Sequence, residues 1–200
     1  ANAAATSQSN NTALLVERVA PTIATTSINT ANTELTVTFS EGVYNTAGGT
    51  GDLEATDFAL SIDGGVATLG SATPTSITKT SQTVWVLGFS TSGTANGSET
   101  ITVVPASSTS IYDAAANAAA TSQSNNTASF NDTTAPTIAS TSLNTGNSEL
   151  TVTFSEGVYN TTGGTGDLEL ADFALSISGG IAKLGSATPT SITKTSQTVW

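Results

Sequence analysis

Glu34 to Ser40 reads ELTVTFS, and the same run of letters recurs at Glu149 to Ser155. Leu35, Val37 and Phe39 occupy alternate positions, and threonine or serine fills the positions that follow each of them. Because successive side chains of a β-strand point to opposite faces, this period of two predicts a strand with one buried face and one face in water. The stretch therefore predicts a β-sheet protein.

The alternation continues outward from this stretch in runs rich in Thr, Val, Ile and aromatic residues, which favour strands. These runs lie at Asp57 to Ile62, Thr83 to Phe89 and Thr100 to Val104, and shorter ones are marked by Ile23 with Ile28, Val66 with Leu69, and Ile77. Glycine-rich turns separate them. The pattern predicts an all-β fold in which seven to eight short strands form a sandwich of two antiparallel sheets. The one helix-like candidate, Asp113 to Ala120, is too short for more than a single turn.

Sliding the sequence along itself reveals a repeat with an offset of 115 residues, in which 69 of 85 overlapping positions are identical. Six of the differences fall together at Leu14 to Val19, which align with Ser129 to Thr134. A repeat of this length is the size of one compact domain. We expect 1–19 to be the C-terminal end of a preceding repeat with its linker, 20–132 a complete repeat and 133–200 part of a second, all within a longer tandem array.

Composition narrows the classes of function. The chain has 15 acidic and 4 basic residues, and it lacks Cys, Met and His. Nucleic acid is an unlikely partner because phosphate binding needs clusters of Lys and Arg. Disulfides need Cys, and most metal-hydrolase and triad chemistry needs His. We expect an extracellular protein of the cell surface that is not an enzyme. Since no apolar stretch is long enough to span a membrane, we expect no membrane insertion within these residues.

Four motifs together resemble the bacterial immunoglobulin-like, cadherin-like tandem repeats of very large surface proteins, of the type found in marine Bacteroidetes. They are TFSEGVYN at Thr38 to Asn45, DFALSIDGG at Asp57 to Gly65, SIYDAAANAA at Ser110 to Ala119 and NDTTAPTI at Asn131 to Ile138. The resemblance implies immunoglobulin-like sandwiches strung end to end in adhesins, stalks or fibres. The chain departs from the family pattern in two places. Ala116 replaces a usual Gly, and the stretch VERVAP at Val16 to Pro21 replaces NDTTAP.

Several carboxylates stand where strands end. Glu41 follows the ELTVTFS strand, Asp113 follows the apolar pair Ile111 and Tyr112, and Asp132 directly precedes the next repeat. Oxygen ligands of this kind suit Ca²⁺, which takes about six to eight of them, and the arrays that the repeat resembles carry ions at their joints. We therefore expect Ca²⁺ at the joints, with ligands from Glu41, Asp113, Asn117 and Asp132, then Asp52 and Asp57, and the repeat equivalents Glu156, Asp167 and Asp172.

The alternative is that these carboxylates are solvated loop residues that keep an array soluble. The ligands come from separate segments, and no contiguous DxDxDG loop is present. If Ca²⁺ is bound, we expect it at the second junction, with Asp132, and not at the first, where Arg18 brings a positive charge beside Glu17.

The sequence gives weaker support for other kinds of functional site. An acid/base pair of carboxylates for glycoside hydrolysis is disfavoured because the whole module is duplicated. Trp85 and Trp200 could stack on carbohydrate, but their phase with Leu87 and Phe89 predicts core packing. Asp132-Thr133-Thr134 resembles the O-glycan acceptor motif of Bacteroidetes, which implies Thr133 as the acceptor.

Three functions remain open from the sequence. The first is a structural module that serves as spacer or stalk of a surface adhesin or fibre, whose partners are the neighbouring repeats of the same chain. The second is a self-assembling filament or sheath subunit, in which like chains pair laterally or lend strands to one another. The third is a module that binds surface glycans or ice, which only the Thr-rich strand faces support.

Overall fold

The computed structural model describes residues 2–4, 6, 7, 9 and 12–200, and the chain divides into two compact units, Ala1–Thr134 (unit 1) and Ala135–Trp200 (unit 2). The prediction of an all-β chain is confirmed, since the regular structure consists of antiparallel strands and two short 3₁₀ turns. No helix in the described part of the chain is long and apolar enough to cross a membrane.

The described residues of unit 1 form nine strands. They are β1 (Ile23–Ile28), β2 (Glu34–Phe39), β3 (Phe58–Asp63), β4 (Thr68–Leu69), β5 (Ser76–Lys79), β6 (Val84–Gly88), β7 (Thr91–Ser92), β8 (Thr100–Pro105) and β9 (Thr127–Ser129), and a 3₁₀ turn at Ala55–Asp57 precedes β3. One sheet has four strands in the order β1-β2-β6-β5 and another has three in the order β3-β8-β9, while β4 and β7 form a separate pair.

The two larger sheets share one hydrophobic core. The register places Val37 beside Trp85 in the first sheet and Leu60 beside Val103 in the second, so inward side chains of neighbouring strands lie side by side and join a single cluster. Full burial of a large apolar side chain contributes about 1.5–3 kcal/mol. Trp85 is only 1% exposed, which confirms the prediction that it packs in the core.

The last strand of unit 1 lies beside the first. The backbone N–H of Ile23 donates to Oε1 of Gln123 at 2.8 Å. Farther along β1, the hydroxyl of Thr26 donates to the backbone oxygens of Thr127 at 2.6 Å and Asn125 at 3.2 Å. Side-chain hydrogen bonds therefore tie β9 and the segment before it to β1, and the two segments run in the same direction.

Residues 113–120 form one turn, in which the N–H of Ala116 donates to the oxygen of Asp113 at 3.4 Å, and no helix, which is within the single turn that the sequence allows. The segment folds back as a tight loop, in which the N–H of Asp113 donates to the oxygen of Asn117 at 3.0 Å and the N–H of Ala119 to the oxygen of Ile111 at 2.8 Å. Ala116 has a φ of 69°, which lies in the left-handed region and ends any right-handed helix. The Asp113 carboxylate also takes the N–H of Asn117, which competes with helix formation.

Unit 2 repeats the first part of unit 1. It contains β10 (Ile138–Leu143), β11 (Leu150–Phe154) and a 3₁₀ turn at Leu170–Asp172, and Ile138 pairs with Phe154 as Ile23 pairs with Phe39 in unit 1. Val152 and Trp200 exchange backbone hydrogen bonds of 2.9 and 3.1 Å, which matches the register of Val37 and Trp85. Residues 173–178, the counterpart of β3, form no strand, because β3 takes its ladder bonds from β8.

Candidate functional site

Two loops of unit 1 meet at the end of the module where the chain enters β1. Tyr44, just after β2, and Tyr112, just before the tight loop, exchange backbone hydrogen bonds of 2.8 Å in both directions. This isolated bridge brings Glu41 beside Asp113, although the two are far apart in sequence. The incoming chain adds Glu17 to the same place.

Glu17, Glu41 and Asp113 form an acidic cluster. Each offers a carboxylate oxygen, and these oxygens all lie within 4.8 Å of one another. Among the residues that the structure describes, it is the only group of three or more possible metal ligands of the His, Cys, Asp or Glu type. Glu17 is exposed, Glu41 is half-buried and Asp113 is buried, so the cluster opens to solvent on the side of the incoming chain.

Asn117 holds the acidic cluster together. Its side-chain Nδ2 donates to Oε2 of Glu17 at 2.6 Å and to Oδ2 of Asp113 at 2.7 Å, and its backbone N–H donates to Oδ1 of Asp113 at 2.7 Å. The amide group thus bridges two of the three carboxylates, Glu17 and Asp113. Because an Asn amide carries an acceptor oxygen as well as donors, rotation of the group by a half turn would present Oδ1 as a further ligand.

The surroundings shift the pKa values of Glu41 and Asp113 in opposite directions. Burial raises the pKa of Glu41, and the carboxylates of Asp113 and Glu17 raise it further. Burial alone would also raise the pKa of Asp113, but the hydrogen bonds from the side chain and backbone of Asn117 outweigh it and hold that pKa below its ordinary value. The Glu41 carboxylate therefore lacks the compensation that hydrogen bonds give to Asp113.

The other predicted ligands lie outside the acidic cluster. Asp52 pairs with Lys79, and Asp167 pairs with Lys194. Asp57 accepts the N–H of Glu54, and Asp172 that of Glu169, each at 2.7 Å and each as part of a capping box. Asp132 accepts the N–H of Thr134 at 2.8 Å, and Glu156 follows β11 as Glu41 follows β2. The structure therefore brings together Glu41, Asp113 and Asn117 of the predicted set.

The acidic cluster lies at the first junction, and the expectation of Ca²⁺ at the second junction, with Asp132, stays a prediction. The cluster uses Glu17 of the first junction, and Asn117 holds Glu17 in place. Arg18 is in neither of the ion pairs found among the described residues. In the 115-residue register Asp132 aligns with Glu17, so the second junction carries a carboxylate at the same repeat position.

Sequence reasoning missed a buried carboxylate, Glu99. It is 0% exposed, and its Oε1 accepts the backbone N–H groups of Val66 at 2.8 Å and Ala67 at 2.9 Å, while Oε2 accepts that of Asn96 at 3.1 Å. Burial alone would raise the pKa of Glu99, but these backbone donors outweigh it and lower that pKa. A signal was present, since Glu99 stands in phase with the buried residues Ile101 and Val103 of β8.

Thr133, the implied glycan acceptor, lies on an exposed backbone at the end of unit 1. Its hydroxyl donates to the oxygen of Ala95 at 3.3 Å. Glycosylation of Thr133 stays a prediction.

Replacing Ala116 by Gly stabilises unit 1 by about 1 kcal/mol, because the left-handed φ of 69° costs an L-residue about 1–2 kcal/mol and the freer unfolded chain returns part of that gain. Urea unfolding of the two proteins measures the difference. Ala115→Gly, one residue earlier and not at positive φ, is the matched control and should destabilise. A loss of stability in Ala116→Gly would contradict the argument.

Comparison with protein-family models, curated proteins and solved structures finds no match to the chain.

Proposed function

We propose that the chain is a piece of a tandem array of immunoglobulin-like sandwiches, which serves as an extracellular spacer or stalk of a surface adhesin or fibre. The observation that carries the proposal is the near identity of successive modules, 69 of 85 aligned positions, together with the core that unit 1 closes on its own. A module copied with so little change acts by its shape and stability, whereas an enzyme needs only one active site. The array then acts as a mechanical spacer, which sets the distance between the parts of the adhesin or fibre that it connects.

We further propose that Ca²⁺ binds the acidic cluster and fixes the chain where it enters unit 1. Three carboxylates whose oxygens lie within 4.8 Å of one another provide the negative charge, and hard oxygen ligands are the ones that Ca²⁺ prefers. One ligand, Glu17, belongs to the incoming chain, and two, Glu41 and Asp113, belong to the body of the unit. Binding therefore ties the linker to the module.

Adding Ca²⁺ raises the melting temperature of unit 1, since a ligand at about one hundred times its Kd stabilises a folded protein by about 2.7 kcal/mol. Glu41→Gln removes this rise. In EDTA, where no Ca²⁺ is bound, we expect Glu41→Gln to raise the melting temperature. The raised pKa of Glu41 means that its contribution to stability is present when it is protonated and is lost as the pH rises through that pKa. Glu41→Gln, which is always neutral, should therefore melt higher than the wild type at neutral pH in EDTA.

Scanning calorimetry with and without Ca²⁺ measures both effects, and Asp63→Asn, an exposed carboxylate outside the cluster, is the control. Equal melting temperatures of the wild type in Ca²⁺ and in EDTA would remove Ca²⁺ from the proposal.

The alternative is a filament subunit, in which like chains pair laterally or lend strands to one another. Negative-stain microscopy of the purified chain separates the two functions. Isolated particles support the spacer, and ordered polymers overturn it in favour of the filament.

A further inference from the structure

The last residues of unit 1 are held by a single backbone oxygen. The oxygen of Ala95 accepts the N–H of Thr133 at 2.9 Å, the hydroxyl of Thr134 at 3.0 Å and the hydroxyl of Thr133 at 3.3 Å. Asp132 adds a fourth bond, in which its Oδ1 accepts the N–H of Thr134 at 2.8 Å. We call this group, Ala95 with Asp132–Thr134, the exit clamp.

The acceptor side of the exit clamp is rigid. Ala95 is 5% exposed, and the next residue, Asn96, donates its N–H to the buried carboxylate of Glu99 at 3.1 Å. Asn96 also forms a bridge with Asp132. Gly97, with a φ of 78°, lies so close that a Cβ on it would stand 3.3 Å from the Cβ of Asp132. A buried anion thus fixes the loop that holds the departing chain.

The first residues of unit 2 are held by their own unit. The N–H of Thr137 donates to the hydroxyl of Ser155 at 2.9 Å, and the N–H of Ser155 donates to the oxygen of Thr137 at 2.8 Å. Between the exit clamp and this pair stand only Ala135 and Pro136. The ring of Pro136 fixes its own φ angle, one of the backbone angles of these two residues.

We propose that the exit clamp sets the direction in which the chain leaves unit 1, through hydrogen bonds alone and without a metal ion. The inference rests on the proposed spacer function, because a spacer needs a defined exit direction. The aligned residues of the first junction, Glu17, Arg18 and Val19, lack both threonine hydroxyls and could not form the same clamp.

Spin labels placed one in each unit test the exit clamp. The chain has no Cys, so Ser61→Cys and Ser176→Cys, which are exposed and equivalent in the repeat, accept labels at defined positions. Pulsed electron–electron resonance then gives the distribution of distances between them. Thr133→Val with Thr134→Val deletes both hydroxyls and keeps the side-chain shape. We expect the distribution to broaden about twofold, because two of the three bonds to Ala95 are lost.

The control is Thr46→Val with Thr50→Val, which deletes a hydroxyl pair bonded at 2.8 Å elsewhere in unit 1 and should leave the width unchanged. EDTA should also leave the width unchanged. The single variant Thr134→Val should give an intermediate width, which keeps the test available if the double variant folds poorly. An unchanged width in a folded double variant, or broadening by EDTA alone, overturns the clamp. Failure of the spacer function itself appears separately, as polymers of the unmodified chain in the microscope.

Discussion

Replacing Glu99 by Gln lowers the free energy of unfolding of unit 1 by about 3 kcal/mol, since bonds to an ionised acceptor contribute about 1.5–3 kcal/mol each and relief of the buried charge returns part of the loss. In the wild type the Glu99 carboxylate accepts three backbone N–H groups while 0% exposed. A Gln amide offers one acceptor oxygen, and its NH₂ group faces at least one of the backbone donors. The loop that carries Asn96 therefore loses its anchor.

Urea unfolding followed by Trp85 fluorescence measures this loss, in a Trp200→Phe background so that only unit 1 reports. Glu34→Gln is the matched control, because Glu34 is exposed and makes one side-chain contact, to Asn29 at 3.2 Å. It should change stability by less than about 0.5 kcal/mol. Equal stabilities of the Glu99 and Glu34 variants would contradict the anchoring role.

The same pair of proteins has a pH signature. The lowered pKa of Glu99 means that its contribution is present above the ordinary pKa of an unfolded Glu, about 4.3, and is lost as the pH falls through the folded value. The wild type should lose stability on acidification over that window, and Glu99→Gln should lose less. Asp113, whose pKa is also lowered, keeps part of the acid dependence in both proteins.

Gly65→Ala destabilises unit 1 by about 4 kcal/mol, whereas Gly180→Ala, at the same place in the repeat, destabilises unit 2 by about 1 kcal/mol. The two glycines have similar left-handed φ values of 59° and 65°, so the backbone penalty is shared. A Cβ on Gly65 would lie 2.1 Å from Cδ of Glu99, while a Cβ on Gly180 would meet nothing within 4 Å. The difference between the two losses isolates the steric clash with the buried carboxylate.

Fluorescence of Trp85 and of Trp200, each in a background where the other is Phe, reports the two units separately. Losses of equal size in the two units would show that only the backbone angle matters and that Glu99 moves aside.

The strands were predictable because their chemistry is local. In β2 the alternation of apolar and hydroxyl residues alone determines which side chains face the core. The position of Glu41 just past the end of β2 was readable for the same reason, whereas Asp113 lies in a tight loop that follows no strand. Their meeting was only a hypothesis, because it depends on the bridge between Tyr44 and Tyr112, which no local pattern encodes.

The remaining site residues show why the other contacts of the site could not be predicted from the sequence. Asp57 had a readable local partner, since Glu54 and Asp57 have the spacing of a capping box. Asp52 pairs with Lys79, 27 residues away in sequence, a contact that depends on the tertiary structure. Glu17 joins the cluster through a single amide group on Asn117. Glu99 was in phase with the core residues of β8, but its burial was not predicted because charged residues are rarely buried.

The side-chain bonds between β1 and β9 have a consequence under mechanical load. Ile23 is tied to Gln123, and Thr26 to Asn125 and Thr127, so the two segments run parallel. A pull along the chain draws β1 by its beginning and β9 by its end, in opposite directions along their own length. The hydrogen bonds between them are then loaded together in shear, so they must break together and not one after another. The short strand β9, of three residues, is thereby placed where several side-chain hydrogen bonds share the load.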